Sequence, residues 1–311
     1  MTAELVTASA AGTWQIGDLV INRMGFGSMR LTQEGPAFAG HAAPSDRGRS
    51  ITTLRRAVEL GVNHIDTAAF YFSALRSANE LINAALAPYP DDLVIVTKVG
   101  PGRDTWGNWT SAARPDQLRG QVEENLRQLG RDHLDVVNYR RQASVQSISE
   151  HFGALAELRG AGLIRHLGIS GVEPAHLAEA LAIAPVVCVQ NAYSVSDRRP
   201  ESRAVLQACG DQGIAFVPFF AIAGTRRHGV TGSDGDSGSA GPPAEPRQLG
   251  DIARAHDATV AQIRLAWTLH QGAHVLAIPG TGNPEHLVEN VAAGGIELSD
   301  AELASLAEVS R

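Results

Sequence analysis

Strand-like and helix-like segments alternate along the whole chain, and this alternation restricts the fold more than any other feature. Apolar, β-branched runs are each followed by Ala-, Leu- and Arg-rich stretches of helical period. The strand-like runs are 23–27, 62–66, 93–98, 134–139, 164–170, 186–190, 214–219 and 275–278. Helical patterns cover 50–60, 77–87, 115–130, 147–161 and 200–211, and two more open at Pro174 and Pro284. The third has Pro115 inside its start and Gly130 past its end, which is how helices begin and stop. Ahead of them, 14–22 with a Gly17-Asp18 turn reads as a hairpin. Eight βα units predict an α/β protein of one domain over 1–311. Its form is a (β/α)8 TIM barrel with the N-terminal hairpin closing the bottom. A doubly wound sheet would want fewer strands and a Gly-rich first turn. Gly25-Phe26-Gly27-Ser28-Met29-Arg30 lacks the third glycine of the dinucleotide fingerprint. Two long segments, 101–114 with Trp106 and Trp109 and the Gly/Ser/Asp/Pro-rich 224–246, are expected over the C-terminal face.

Composition removes whole function classes. With 44% apolar residues the chain buries a real core, and a net charge of −7 argues against a nucleic-acid partner. No apolar run approaches the roughly 20 residues that span a bilayer, so no membrane partner is expected. The first residues show neither a basic n-region nor an apolar h-region, and Cys188 and Cys209 form no CxxC pair. The expectation is a cytoplasmic protein with reduced thiols. No HExxH or other metal spacing occurs among the histidines, so no metal is expected. Oligomeric state is not readable.

Of 26 basic residues only Lys98 is lysine. In an Arg-, Ala- and Gly-heavy composition, surface lysines drift to arginine at no cost in charge. A lysine used for its compact, tunable ammonium does not, because guanidinium is planar, bulky and never deprotonated. Catalytic groups of a barrel sit at the C-terminal ends of its strands. There stand Asp66, Lys98, Ser170, Gln190, Phe219 and Pro279-Gly280-Thr281, with Tyr71 in the loop beyond Asp66. Singly, Asp66 could be a helix cap and Tyr71 a packed aromatic. Together with the lone lysine they suggest a carboxylate-held ammonium that lowers the pKa of a tyrosine. Such a tyrosine can give a proton to a carbonyl oxygen. His64, inside the second strand, reads as a satisfied core histidine. Leu167-Gly168-Ile169-Ser170-Gly171 breaks the G-x-S-x-G elbow and removes a hydrolase reading.

These blocks, in order, resemble the aldo-keto reductase superfamily: Gly61-Val-Asn-His-Ile-Asp66-Thr-Ala-Ala-Phe-Tyr71, Ile-Val-Thr-Lys98, Leu-Gly-Ile-Ser170, Val-Gln190-Asn, and Ile-Pro-Gly-Thr281-Gly-Asn-Pro-Glu-His-Leu-Val-Glu289-Asn290. The likeness runs from about Asn22 to Arg311, and some phrases are similar to bacterial pyridoxal-reductase-type members. It implies an NAD(P)H-dependent oxidoreductase with Asp66, Tyr71 and Lys98 as three of four catalytic residues. By the same match, Ser170 and Gln190 would hold the nicotinamide carboxamide and Phe219 would stack on its ring. Gly27, Ser28, Met29, Phe220, Ala221, Ile278 and Gly280 would complete the cofactor cradle. Thr281, His286, Glu289 and Asn290 would lie around the adenosine 2′-phosphate and adenine.

Three departures qualify that match. The family's fourth catalytic residue, a His, counts to Ala143, where no imidazole exists, so substrate orientation would fall to Arg140 or Arg141. The Asn that usually follows the fifth-strand Ser is Gly171. His286 stands where a basic 2′-phosphate partner is usual, although Arg226 and Arg227 could supply charge. The expected cofactor is NADPH, with NADH possible. The expected partner is a small carbonyl substrate, pyridoxal among them, in an open pocket walled by Phe70, Trp106, Trp109 and the 224–246 segment, read as a lid. The alternatives are a tailoring reductase for a polyketide-like or non-carbonyl substrate, and a cofactor-binding regulatory module without turnover.

Overall fold

The computed structural model describes residues 5–35, 37–38, 42–222 and 246–309. The expected hairpin is formed by β1 (Thr13–Ile16) and β2 (Leu19–Asn22), which pair antiparallel. A parallel sheet follows in chain order: β3 (Phe26–Gly27), β4 (His64–Asp66), β7 (Val94–Val99), β8 (Leu134–Arg140), β9 (Ile164–Ser170), β10 (Val186–Gln190) and β11 (Ala215–Phe216). A small hairpin, β5 (Phe72–Ser73) with β6 (Arg76–Ser77), sits in the loop after β4. The eighth run is held by parallel bridges alone, Phe216 to Val275 and Met24 to Ala277. Leu276 N–H donates to the Phe216 carbonyl at 2.9 Å, and Gly25 N–H to the Ala277 carbonyl at 2.7 Å. These bonds join β11 to β3 and close the sheet into the (β/α)8 barrel.

The helices form an outer ring: α1 (Arg47–Glu59), α2 (Ala78–Leu86), α3 (Leu118–Leu129), α4 (Ser149–Gly160), α5 (Pro174–Leu181), α6 (Pro200–Asp211), α7 (Arg247–Ala255), α8 (Val260–Leu269), α9 (Pro284–Ala292) and α10 (Asp300–Ala307). Helix α3 stops at Gly130 in the left-handed region (φ 63°), as its position past the helical pattern predicts. Helices α7, α8 and α10 lie outside the sequence expectations. Two of them carry a readable start, since Thr259 with Gln262 and Ser299 with Glu302 form capping boxes.

Strand pleating sorts the side chains into two sets. Ile95, Val99, Val137, Tyr139, Leu167, Ile169 and Val189 pack outward against the helices. Val94, Val96, Val136, Cys188, Ala215, Val217 and Leu276 fill the barrel interior, where Ile16 and Ile21 of the N-terminal hairpin join them as a floor. Asp18, in the hairpin turn, takes hydrogen bonds from Arg165 Nη2 and pairs with His166 Nε2, both at 2.6 Å, which ties the floor to β9. Both cysteines are buried, and burial pushes each thiol up to about 12. Among the described residues no helix is long and apolar enough to cross a membrane.

Arg23 fastens the closing seam. Its guanidinium donates to the carbonyls of Ala11 and Val275 at 3.1 Å, of Gly272 at 2.8 Å and of Leu269 at 2.5 Å. Truncation to Met strands four acceptors beside the seam. Arg23→Met is expected to lower the unfolding free energy by roughly 3–5 kcal/mol, because charged donors to partly buried acceptors are costly to lose. Urea unfolding followed by circular dichroism measures this, and a change under about 1 kcal/mol would mean that the seam holds without it.

Candidate active site

The alternation that fills the barrel floor with apolar groups delivers polar ones at the C-terminal ends. Lys98 is the next inward residue after Val94 and Val96, Asn138 and Arg140 follow Val136, and Gln190 follows Cys188. Strand register sets their levels: Asp66 lies opposite Val96, Lys98 opposite Asn138, and Arg140 opposite Ser170.

At the centre is a buried ion pair. Lys98 Nζ reaches Asp66 Oδ1 at 2.7 Å and Oδ2 at 2.5 Å, and donates to the Thr67 carbonyl at 3.0 Å. Gln190 Nε2 donates to the same Asp66 Oδ1 at 2.7 Å. Burial, the largest single influence, would lower the Lys98 pKa, but Asp66 and Tyr71 together outweigh it and hold the ammonium above its ordinary value. Tyr71 stands above this pair, with Lys98 Nζ 5.0 Å from the ring centroid. The sequence expectation of a lowered tyrosine pKa is corrected here. Burial raises it most, Lys98 pulls it down and Asp66 pushes it up again, and the net direction is upward. Tyr71 is therefore a neutral phenol across the neutral range, the form that can donate a proton.

One cavity collects most of the expected residues. Gly27, Met29, Asp66, Phe70, Tyr71, Lys98, Trp109, Arg140, Ser170, Gln190, Phe219, Phe220, Ala221, Ile278 and Gly280 all face it. Phe220 holds φ 65°, a strained conformation for a bulky side chain, where the chain leaves the barrel. Thr281 lies in a neighbouring groove with Arg30, Arg49 and Asn283. Ser28 is buried beneath the cavity wall, and its Oγ has no partner among the described residues. On α9, His286 and Glu289 are exposed while Asn290 is buried, and none of the three lines either hollow.

Two expectations fail and one lies out of reach. Trp106 is no pocket wall: it sits 81% exposed at the tip of a turn held by Asp104, whose carboxylate accepts from the Trp106 and Asn108 amides. Ala143 is exposed and beyond the end of β8. The side chain that β8 sends into the cavity is Arg140, its guanidinium 5.1 Å from the Phe219 ring. Arg141 has the opposite parity and turns outward to the Gly171 and Val145 carbonyls and to Glu173. Arg226 and Arg227, with the rest of 223–245, lie outside the described residues.

Sequence reasoning overlooked Arg103. It donates to the carbonyls of Phe70, Phe72 and Gly107 and lies over the rings of Phe38, Phe72 and Trp109, so it pins the 101–114 segment to the Tyr71 loop. Phe38, also overlooked, packs on Tyr71 and Trp109. Neither residue belongs to a motif, which is why pattern reading passes over them.

The model of the Aldo/keto reductase family matches residues 23–311. The chain belongs to this family. It is 40% identical over 308 residues to pyridoxine 4-dehydrogenase of Escherichia coli, covering 97% of this chain and 99% of that one. An uncharacterized oxidoreductase of Schizosaccharomyces pombe is 36% identical, over 97% of this chain and 91% of its own. Among solved structures, a thermostable aldo-keto reductase in complex with the inhibitor epalrestat matches with TM-score 0.76 and 30% identity, over 96% and 99% of the two chains. An aldo/keto reductase of Klebsiella pneumoniae, solved with NADP and acetate, matches with TM-score 0.71 and 26% identity over 94% and 93%. The expected barrel is thus the fold of an aldo-keto reductase, and the likeness to pyridoxal-reductase-type members agrees with the E. coli relative.

His64 bears on the stability of this aldo-keto reductase. It is fully buried beside Asp66, and the expected satisfied histidine is only half right, since its Nδ1 has no partner among the described residues. Burial lowers its pKa from 6.5 to about 4. Between those values the unfolded chain binds a proton that the folded chain refuses, so stability is lost as pH falls through this window. The wild type is expected to lose on the order of 3 kcal/mol more than His64→Gln between pH 7 and pH 4. Parallel urea-unfolding curves for the two proteins would contradict the buried neutral imidazole.

Proposed function

We propose that this aldo-keto reductase is an oxidoreductase that uses NADPH, with NADH as the alternative, to reduce an aldehyde or ketone, Tyr71 being the proton donor. The observation that carries the reading is the buried chain Gln190–Asp66–Lys98 ending beneath a neutral tyrosine at the wall of an aromatic cavity.

The residues present fit a nicotinamide. Ser170 Oγ and Gln190 Oε1 are buried at the cavity with no partner among the described residues, which suits a carboxamide. Phe219 offers a ring face there. A Cβ on Gly27 would come 2.7 Å from the Ile278 carbonyl oxygen, so the backbone lining of this wall is closely packed. Thr281 shares its groove with the cations Arg30 and Arg49 and with the carboxylates Glu34 and Asp46, Arg49 Nη1 lying 3.8 Å from Glu34, so NADPH is the expectation of the family resemblance and not of the groove's charge. When bound, a reduced nicotinamide supplies the hydride.

The chain's own groups handle the oxygen. The Tyr71 hydroxyl donates a hydrogen bond to the substrate carbonyl and transfers its proton as negative charge develops there. Lys98 stabilises the resulting phenolate, Asp66 keeps Lys98 charged, and Gln190 fixes the Asp66 carboxylate in place. Phe38, Phe70 and Trp109 form an aromatic wall for a flat substrate, consistent with pyridoxal, the aldehyde suggested by the name of the E. coli relative. Retention of a proton-donating group argues against a module that only binds cofactor.

Tyr71→Phe is expected to lower kcat about a thousandfold or more, with NADPH affinity, read by tryptophan fluorescence, essentially unchanged. Turnover of pyridoxal by that variant at the wild-type rate would reject Tyr71 as donor. Lys98→Arg tests the lone lysine separately. The planar guanidinium cannot reproduce the compact ammonium between Asp66 and Tyr71, and a loss of about a hundredfold is expected. Near-normal activity would show that its retention has no chemical cause.

A further inference from the structure

The cavity wall brings together two residues that the sequence leaves unconnected, Arg140, one of two candidates for orienting the substrate, and Gly171, which stands where the family usually has Asn. Arg140 ends β8, and Gly171 directly follows β9. Strand pairing sets Arg140 opposite Ser170, so Gly171 lies one residue beyond the arginine on the adjacent strand. Gly171 has φ 69°, and its N–H donates to the Gln190 carbonyl at 2.9 Å, which fixes the backbone there. A Cβ built on Gly171 would lie 2.9 Å from Arg140 Cζ and overlap Nη1. The space that any other residue would fill is therefore the space the guanidinium uses.

The location of that guanidinium has a chemical consequence. Arg140 is one inward step above Asn138, which is level with Lys98 on the neighbouring strand, a rise of about 6.6 Å. It faces the same cavity as Tyr71, close enough to act on the phenol electrostatically, and stacks over Phe219. Among the described residues, the charged side chains at the cavity are Asp66, Arg30, Lys98 and Arg140. A carbonyl placed at Tyr71 has a planar, permanently charged, multi-donor group at the same cavity, of a kind suited to an anionic oxygen.

We infer that Gly171 and Arg140 work as one unit, the absent Cβ seating the guanidinium so that it selects carbonyl substrates with an ionisable oxygen on the atom next to the carbonyl-bearing one. The inference rests on the carbonyl-reduction reading above, and pyridoxal is a substrate of this class. Arg140 would touch the substrate, whereas Gly171 is a positioning residue that acts through Arg140.

Salicylaldehyde and benzaldehyde differ only by that oxygen and make the test. For the wild type, Arg140→Gln, Gly171→Ala and the double variant, kcat/KM is measured for both aldehydes with NADPH. The expected preference for salicylaldehyde falls about 10- to 100-fold in each single variant, the range for losing a charged hydrogen-bond partner. Gly171→Ala should add nothing in the Arg140→Gln background, since both act through one group. A second readout needs no turnover. Salicylaldehyde bound to enzyme carrying oxidised cofactor is titrated by its phenolate absorbance, and its hydroxyl should ionise at least about one pH unit lower on the wild type than on either single variant.

An unchanged preference and an unchanged ionisation in Arg140→Gln would overturn the inference while leaving carbonyl reduction standing. A Gly171→Ala effect that persists in full without Arg140 would overturn the coupling. Reduction of neither aldehyde by the wild type would instead count against the carbonyl reading, and the titration then decides the Arg140 inference by itself.

Discussion

A buried charge is tolerable only if something permanent answers it, and the upper half of this barrel is organised around one such answer. Asp66 and Lys98 are almost wholly removed from water, and their 2.5 Å contact leaves each with further hydrogen-bonding capacity. The Thr67 carbonyl takes another Lys98 proton and the Gln190 amide takes an Asp66 lone pair. Removing either partner would strand an uncompensated charge at a cost of roughly 3–5 kcal/mol, whereas two apolar residues of similar volume could be neutral for stability. The pair is therefore a poor device for stability and a good one for fixing an ammonium beneath Tyr71. A second layer of polar groups supports it from behind. Thr67 donates to Asn79 at 2.7 Å, and Asn125 accepts from both Asn79 and Thr97, so the loop after β4 is anchored to α2 and α3.

Much of this was legible in the chain itself. Helix and strand periods place the barrel, and the strand-end positions place Asp66, Lys98, Ser170 and Gln190 in one cavity, because parity along a parallel strand is a local property. The lone lysine pointed to its position before any motif did. Parity also had the means to find Arg140, which shares its face with Val136 and Asn138. Counting by resemblance passed over it to Ala143. Trp106 was misplaced for a different reason: an aromatic in a long loop carries no period, and the Asp104 turn that points it to solvent is a loop-local arrangement.

What stayed hidden is what depends on contacts between strands or on desolvation. Gly171 reads in sequence as a lost carboxamide contact, and only the approach of Arg140 across the β8–β9 pair gives the missing Cβ a use. The tyrosine pKa was argued from its charged neighbours, but the burial that dominates it is a property of the folded loops, chiefly the packing of Phe38, Phe70 and Trp109 against it. Arg103, which draws those loops together, is equally invisible to spacing.

The N-terminal hairpin has an electrostatic meaning beyond packing. With Ile16 and Ile21 set into the interior and Asp18 tied to β9, the barrel is stoppered at one end, and the ring of polar side chains lies above an apolar plug. The floor also sets what lies under the charged groups: Val94, Val96, Val136 and Cys188, not water, form the bed beneath Lys98 and Gln190. A field raised by the buried pair is therefore screened little from below, and a hairpin remote from the cavity helps to keep it so.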